Sequence, residues 1–486
     1  MSVDRLADAI RQGLRHTPDG GVRPLLAALF GERFQKRHLE PTMIRDAYAL
    51  GSGDEQDGVP FAGLINPENP QSGPYGGTSL VWFPTQAHGS LICFVVGTRG
   101  LSPDEGILTK PGHRRRLVAL RRHLRELGVV AWTKSDPAAL NEPVPKAARE
   151  RFPGFERAIQ RYGSEIYCAA SVPDDAELAR KVVQAFLDLY AQERGWQTLQ
   201  AFKAESEELL GQIWNRSFEA VDAKQVSEVL EARRFVILQG PPGTGKTRLA
   251  EQVRREFFGG RGLTVQLHPA ATYEDFLVGL SPDAQAGSLR FGVRPGWLIE
   301  AAQRAKDGKA LLVLDEINRA DLAKVLGEAV FLFEPGEVGG EHAREVTLAH
   351  PVNGSREFRL PEGLYVLGTM NTADRSIAPI DIAIRRRFAF VTMLPQRSVV
   401  VSEGVPLALR VYDQLAGVFI EHVPEDGLDL LPGHAYFLAL DEMSLRSRFR
   451  YELVPLLDEY LRQGLVGPAA SELQAVRDTI SDLASA

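Results

Sequence analysis

Two cysteines, Cys93 and Cys168, are all that 486 residues contain. Neither has a metal-type spacing, so neither a zinc site nor a disulfide framework is indicated, and a reducing cytoplasm fits. Long apolar runs are missing too. No stretch approaches the ~20 residues of a membrane-spanning helix, and the opening Met1-Ser2-Val3-Asp4-Arg5 lacks the apolar core of a signal peptide. Positive charge is not in excess: 56 Lys and Arg stand against 63 Asp and Glu, a net charge of −7. That argues against a nucleic-acid binder that is basic over its whole surface, while a local basic patch stays open. There is no internal repeat and no low-complexity tract. What remains is a composition of 44% hydrophobic and 24% charged residues, that of a soluble globular protein. The length suggests about three domains.

Residues 1 to about 50 carry Leu6, Ile10, Leu14 and then Leu25, Leu26, Leu29 at helical spacing. A glycine- and proline-rich stretch follows, and then two apolar runs, Ser79 to Phe83 and Leu91 to Val96. The turn-like Pro84 to Gly89 between them predicts a β-hairpin within a sheet. His113, Arg114, Arg115, Arg116, Arg121, Arg122 and Arg125 fall on a predicted helix. Such a row can contact phosphates. The favoured alternative is a solvated face whose Leu117, Leu120 and Leu124 pack inward. Trp82, Phe83, Phe94 and Trp132 are likewise read as core ahead of a base-stacking pocket. Residues 174–194 predict an amphipathic helix through Leu178, Val182, Phe186 and Leu189. The N-terminal α+β domain is therefore placed at 1–195, with a polar helical connector at 196–230.

From 231 strands and helices alternate, as in a doubly wound parallel sheet. The predicted strands are 234–239, 263–268, 310–315, 364–369 and 388–393, with a hairpin expected between Gly336 and Pro361. This core runs to 397, and a smaller helical domain takes 398–486. The first strand leads into Gly240-Pro241-Pro242-Gly243-Thr244-Gly245-Lys246-Thr247 and then a helix. Strand, glycine-rich loop and helix in that order form a P-loop, whose backbone N–H groups close around phosphates at a helix N-terminus. Lys246 can reach the β and γ phosphates, and the Thr247 hydroxyl can ligate Mg²⁺.

Leu311-Leu312-Val313-Leu314-Asp315-Glu316 reads as a buried strand ending in two acids, the Walker B pattern. Asp315 is placed to hold Mg²⁺ and Glu316 to polarise the attacking water. Asn371 ends the next strand and is expected between the two Walker strands, within reach of the γ-phosphate, the sensor-1 role. Arg385, Arg386 and Arg387 crowd one helix end, where three guanidinium groups are hard for one domain to bury. Arg386 or Arg387 is the candidate arginine finger, donated across a subunit boundary.

These elements in this order resemble the AAA+ superfamily. Met370-Asn371-Thr372-Ala373-Asp374-Arg375-Ser376 and Asp315-Glu316-Ile317-Asn318-Arg319-Ala320 resemble motifs of the McrB family, the motor subunits of McrBC modification-dependent restriction systems. Leu431-Pro432-Gly433-His434-Ala435-Tyr436-Phe437 and the run Tyr451 to Tyr460 are similar to that family's C-terminal lid. The region Ala47 to Gly100 resembles an N-terminal domain found on some McrB-like proteins. The resemblance implies an AAA+ core with an α-helical lid, a hexameric ring and Mg²⁺-dependent hydrolysis of ATP or GTP. It also implies DNA as the target and a McrC-like partner carrying the nuclease. Two D-x-K triplets, at Asp222 and Asp307, lack the strand pattern of a nuclease site. Asn371-Thr372-Ala373-Asp374 echoes the guanine-reading N-K-x-D of small GTPases, but its strand position puts Asn371 at the γ-phosphate, so it sets no base preference. His268-Pro269 and Tyr273 to Phe276 also look family-like, either as a pore- or partner-facing loop or as packing. Arg446, Arg448 and Arg450 are the lid's candidates for sensor 2. The rival expectation is a MoxR-like chaperone that remodels protein assemblies without DNA.

Overall fold

The computed structural model describes residues 2–48, 58–65, 77–97, 105–140, 142–283, 290–374 and 380–485. The chain divides into two compact units, Met1–Phe218 with Ile420–His422, and Glu219–Phe419 with Val423–Ala486. Within the stretch expected as a connector, one helix belongs to each unit, and the division falls at 218/219.

The first unit holds a six-stranded antiparallel sheet. Its strands are β1 (Met43–Ala47), β2 (Phe61–Ile65), β3 (Thr78–Pro84), β4 (Ser90–Val96), β5 (Ala131–Thr133) and β6 (Ile166–Ser171), in spatial order β1-β2-β3-β4-β6-β5. The expected hairpin is β3–β4, with Phe83 opposite Leu91. Both faces of these strands are covered, and the side chains sort by the two-residue period of a strand. Leu80, Trp82, Ile92 and Phe94 enter one cluster with α1 (Ser2–Gln12), α2 (Pro111–Glu126) and α3 (Ala176–Glu193). Val81, Phe83, Leu91, Cys93 and Val95 enter another with Phe152, Phe155 and Ile159. Trp82 is a core residue, as read from sequence, and its indole donates to the Tyr48 hydroxyl at 2.6 Å. Met43–Ala47, expected as helix, instead pairs with β2.

The basic helix α2 corrects one expectation. Leu117, Leu120 and Leu124 do pack inward, but His113, Arg115, Arg116 and His123 are buried with them. The row is therefore solvated only in part, at the exposed Arg114 and Arg125. Arg116 Nε meets the Glu193 carboxylate at 2.7 Å, and His113 Nδ1 meets the same oxygen at 2.9 Å. Burial opposes ionisation of Glu193, yet these two partners outweigh it and hold the carboxyl at about 2. A second buried pair ties the N-terminal segment to α3: Arg33 donates to both Asp188 oxygens, at 2.9 and 2.5 Å. α4 (Gln200–Trp214) closes this unit.

In the second unit α5 (Ala223–Arg233) leads into β7 (Phe235–Gly240), α6 (Lys246–Phe257) and β8 (Gly262–Gln266). A hairpin β9 (Val278–Asp283) and β10 (Arg290–Pro295) comes next, then α7 (Trp297–Arg304), β11 (Ala310–Asp315) and α8 (Leu322–Leu326). The expected hairpin β12 (Glu345–Val352) and β13 (Ser355–Arg359) precedes β14 (Leu364–Asn371), α9 (Ile382–Arg385) and β15 (Ala389–Thr392). Five strands form a wholly parallel sheet in the order β15-β7-β14-β11-β8. Alternate residues again separate the layers. Val236, Leu238, Leu311 and Val313 pack with α5 and α6, while Phe235, Ile237, Leu312 and Leu314 pack with α7 and α8. The fold is the doubly wound α/β class expected. After β15 the chain is helical, with α10 (Pro406–His422) and α11 (Glu442–Arg448) among the lid helices.

Candidate nucleotide-binding site

A parallel sheet exposes its strand ends along one edge, and ligands bind where neighbouring loops part there. β7, β14 and β11 are adjacent, so the P-loop, Asn371 and Asp315 emerge side by side. The loop needs its glycines. Gly243 and Gly245 have φ of +77° and +79°, which side-chain-bearing residues adopt at a cost. A Cβ on Gly240 would strike the carbonyl oxygen of Met393. Gly245 also occupies the N-cap position of α6, so the first N–H groups of that helix face the loop.

Lys246 curls back over the loop. Its ammonium donates to the carbonyl oxygens of Gly240 and Pro241 at 2.9 and 2.7 Å. Burial pulls it down from its ordinary 10.5 to about 8, with Glu316, Asp315 and Asp429 pulling the other way. Asp315 is the hub between the two Walker elements. One oxygen, Oδ1, accepts from Thr247 Oγ1 at 2.7 Å and from Thr369 Oγ1 at 2.6 Å. Thr369 in turn accepts from the Glu316 backbone N–H at 3.0 Å. Thr369 was not singled out in the sequence; its place one strand over and two residues before Asn371 is the signal that could have found it.

Glu316 sits in the left-handed region, φ 55° and ψ 48°, a strained turn for a residue with a side chain. Its carboxylate is held by Arg319. Asn371 lies opposite Gly240 in the β14–β7 ladder. Its side-chain oxygen accepts from Ala373 N–H at 3.1 Å, and its carbonyl accepts from Asn318 Nδ2 at 2.9 Å. The Thr372 hydroxyl beside it and the Asn318 amide oxygen are buried without partners among the described residues. Arg375 and Ser376 of the same motif lie outside the described residues, as do 49–57, 66–76 and 98–100 of the Ala47–Gly100 region.

The three arginines do not behave alike. Arg385 stacks on Phe390 and is exposed, and Arg386 is exposed. Arg387 is only 7% exposed and donates to the carbonyl of Ala383, one turn back. The expectation that the domain cannot bury these groups is thus corrected for Arg387. Tyr273 and Phe276 resolve as packing: Phe276 is fully buried, and the Tyr273 hydroxyl donates to Glu328 at 2.5 Å.

The lid touches the P-loop directly. Gly433 N–H donates to Pro242 O, and Ala435 N–H donates to Gly243 O, both at 3.0 Å. Asp429, on the same lid segment, lies near enough to act on Lys246. The donor set suits a triphosphate with a hard divalent cation: loop N–H groups and an ammonium for phosphate, a hydroxyl and a carboxylate for the cation. Among the described residues no group of three or more His, Cys, Asp or Glu could hold a metal by itself.

Residues 235–388 match the AAA domain of the dynein-related subfamily. Over 256 residues the chain is 32% identical to the Type IV methyl-directed restriction enzyme EcoKMcrB subunit of Escherichia coli K12, covering 48% of this chain and 54% of that protein. It is 27% identical over 190 residues to the Type II restriction enzyme BsuMI component YdiS of Bacillus subtilis, covering 32% and 55%. The chain thus spans about half the length of these curated relatives. A solved structure of NtrX from Brucella abortus in complex with ATP is 14% identical, covering 62% of this chain and 76% of that one at a TM-score of 0.25. No helix among the described residues is long and apolar enough to cross a membrane. Strand order, the Thr247–Asp315 contact and the matched sequence together make residues 235–388 an AAA-type nucleoside-triphosphatase core, similar to that of the EcoKMcrB subunit.

Proposed function

We propose that this chain is the motor subunit of a McrBC-like restriction system, hydrolysing ATP or GTP to drive movement on DNA. The observation that carries the reading is the single Asp315 oxygen shared by Thr247 and Thr369, which locks the phosphate loop and the catalytic strand tips into one site. A bound Mg²⁺ at Thr247 and Asp315 would neutralise phosphate charge as the bond to the leaving group breaks. Lys246 exchanges its two carbonyl partners for β and γ phosphate oxygens. Glu316 leaves Arg319, accepts the proton of the attacking water and so aims its oxygen at the γ-phosphorus. Asn371 holds that water or the γ-phosphate from the neighbouring strand tip.

The exposed Arg386 acts on the nucleotide of an adjacent protomer, which makes turnover depend on a hexameric ring. The N-terminal unit engages target DNA, and a separate McrC-like subunit cuts it. Two of the curated relatives are components of restriction enzymes, which favours this pathway over a chaperone. DNA contact is not assigned to α2, where Arg115 and Arg116 are buried. The test is phosphate release with and without DNA. Glu316→Gln abolishes turnover while leaving nucleotide bound, and DNA stimulates the unmodified protein. Full activity of Glu316→Gln would overturn the site, and indifference to DNA would overturn the pathway.

A further inference from the structure

The lid segment that crosses the P-loop carries a histidine aimed at it. The two backbone bonds from Gly433 and Ala435 fix this segment over Pro242 and Gly243, and His434 lies between them. Gln396 N–H donates to its Nδ1 at 3.3 Å. That bond assigns the lone pair to Nδ1 and the ring proton to Nε2 in the neutral tautomer. Burial keeps the ring neutral by lowering its pKa; Arg248 acts in the same direction and Glu403 opposes. Nε2 is 3.8 Å from the point where a Cβ on Gly245 would sit, so it addresses the N-terminus of α6 across a glycine that leaves the space open.

The three candidate sensor-2 arginines are engaged elsewhere. Arg446 is bonded to Glu442 and to the carbonyl of Leu483. Arg448 donates to Ala435 O at 2.9 Å and to Leu438 O, so it braces the histidine's own segment. Arg450 rests against the Tyr451 ring.

We propose that His434 Nε2–H donates to a phosphate oxygen of the bound nucleotide, so that the lid senses the phosphate chain through an imidazole and not through an arginine. The proposal rests on the nucleotide-binding reading above. A closed lid then gains one hydrogen bond when the triphosphate is present, which couples lid position to nucleotide state.

Two substitutions separate contact from support. In His434→Asn the amide oxygen sits where Nδ1 was and keeps the Gln396 bond, but the far donor is gone. In His434→Gln an amide N–H takes the place of Nε2–H. The full chain is titrated calorimetrically with ATPγS, GTPγS and inorganic tripolyphosphate in the presence of Mg²⁺, and its thermal unfolding is recorded alongside. His434→Asn is expected to weaken whichever nucleotide binds, and tripolyphosphate with it, by about 10- to 100-fold, as for loss of a hydrogen bond to a charged group. His434→Gln is expected to recover most of that, and the midpoint of unfolding without ligand stays unchanged in both. Unchanged affinity in His434→Asn overturns the proposal. So does a loss confined to the nucleotides with tripolyphosphate unaffected, which would move the contact to sugar or base. If the unmodified protein binds none of the three probes and Lys246→Ala changes nothing, the nucleotide reading itself fails.

Discussion

Replacing Gly433 by alanine separates the tertiary arrangement from everything local. Gly433 has φ −63° and ψ 159°, a conformation any residue adopts. On backbone grounds alone the change would stabilise the protein by about 0.4–1 kcal/mol, because it narrows the unfolded ensemble. The contact predicts the opposite sign. A Cβ there would lie 2.5 Å from Pro242 O and closer still to the Gly243 carbonyl, all backbone atoms that no rotamer change can move aside. Carbon atoms settle about 3.5–4.0 Å apart, so the lid segment must withdraw by more than 1 Å. Both 3.0 Å bonds, Gly433 to Pro242 and Ala435 to Gly243, are then lost. At about 1 kcal/mol each, the clamp gives up about 2 kcal/mol. Native-state hydrogen exchange reads this directly. The amides of Gly433 and Ala435 should exchange about 30-fold faster in Gly433→Ala, while amides in β7 and β14 keep their protection. Unchanged exchange at both amides, or a protein that becomes more stable, would refute the clamp.

Lys246 makes nucleotide affinity depend on pH. Its ammonium is held down at about 8 in the free protein, and bound phosphate favours the charged form, so binding takes up a proton above that pH. Affinity for ATPγS should be level from about pH 6.5 to about 7.5 and then fall by up to tenfold per unit towards about pH 9.5. Calorimetric titration across that range checks it, and an affinity flat to the upper limit would contradict the buried ammonium. In the first unit, Arg33 and Asp188 have side chains 1% and 0% exposed. Arg33→Met strands the carboxylate and should cost about 3–5 kcal/mol, whereas Arg33→Met with Asp188→Leu should recover most of it. Urea unfolding of the full chain decides this, and a single variant as stable as the double would dismiss the pair.

Contiguous residues carried the readable part of this protein. The P-loop is legible because its backbone demands glycine at 243 and 245 and its chemistry demands Lys246 and Thr247 at fixed offsets. The parallel strands β7, β11 and β14 are legible because each carries a continuous apolar run between helical patterns; Phe235–Gly240 and Ala310–Asp315 fall within one residue of their expected limits. The hairpin β9–β10 was not legible: Val278-Gly279-Leu280-Ser281-Pro282-Asp283 carries a glycine and a proline and reads as a loop, and its pairing partner is what makes it a strand. Nor was the burial of Arg115, Arg116 and Arg387, since charge on a helix says nothing of what packs over it.

By itself the sequence determined the class of fold and the candidate groups gathered at the strand tips, since glycine geometry, hydroxyl and carboxylate chemistry and strand hydrophobicity act over a few neighbouring residues. Folding alone decided that Thr369 joins Thr247 on one oxygen of Asp315, that Arg319 holds Glu316, and that a lid segment nearly two hundred residues downstream closes over Gly243. Those depend on which strands become neighbours and which surfaces bury each other, and hydrogen bonds and packing across such distances leave no periodic trace along the chain.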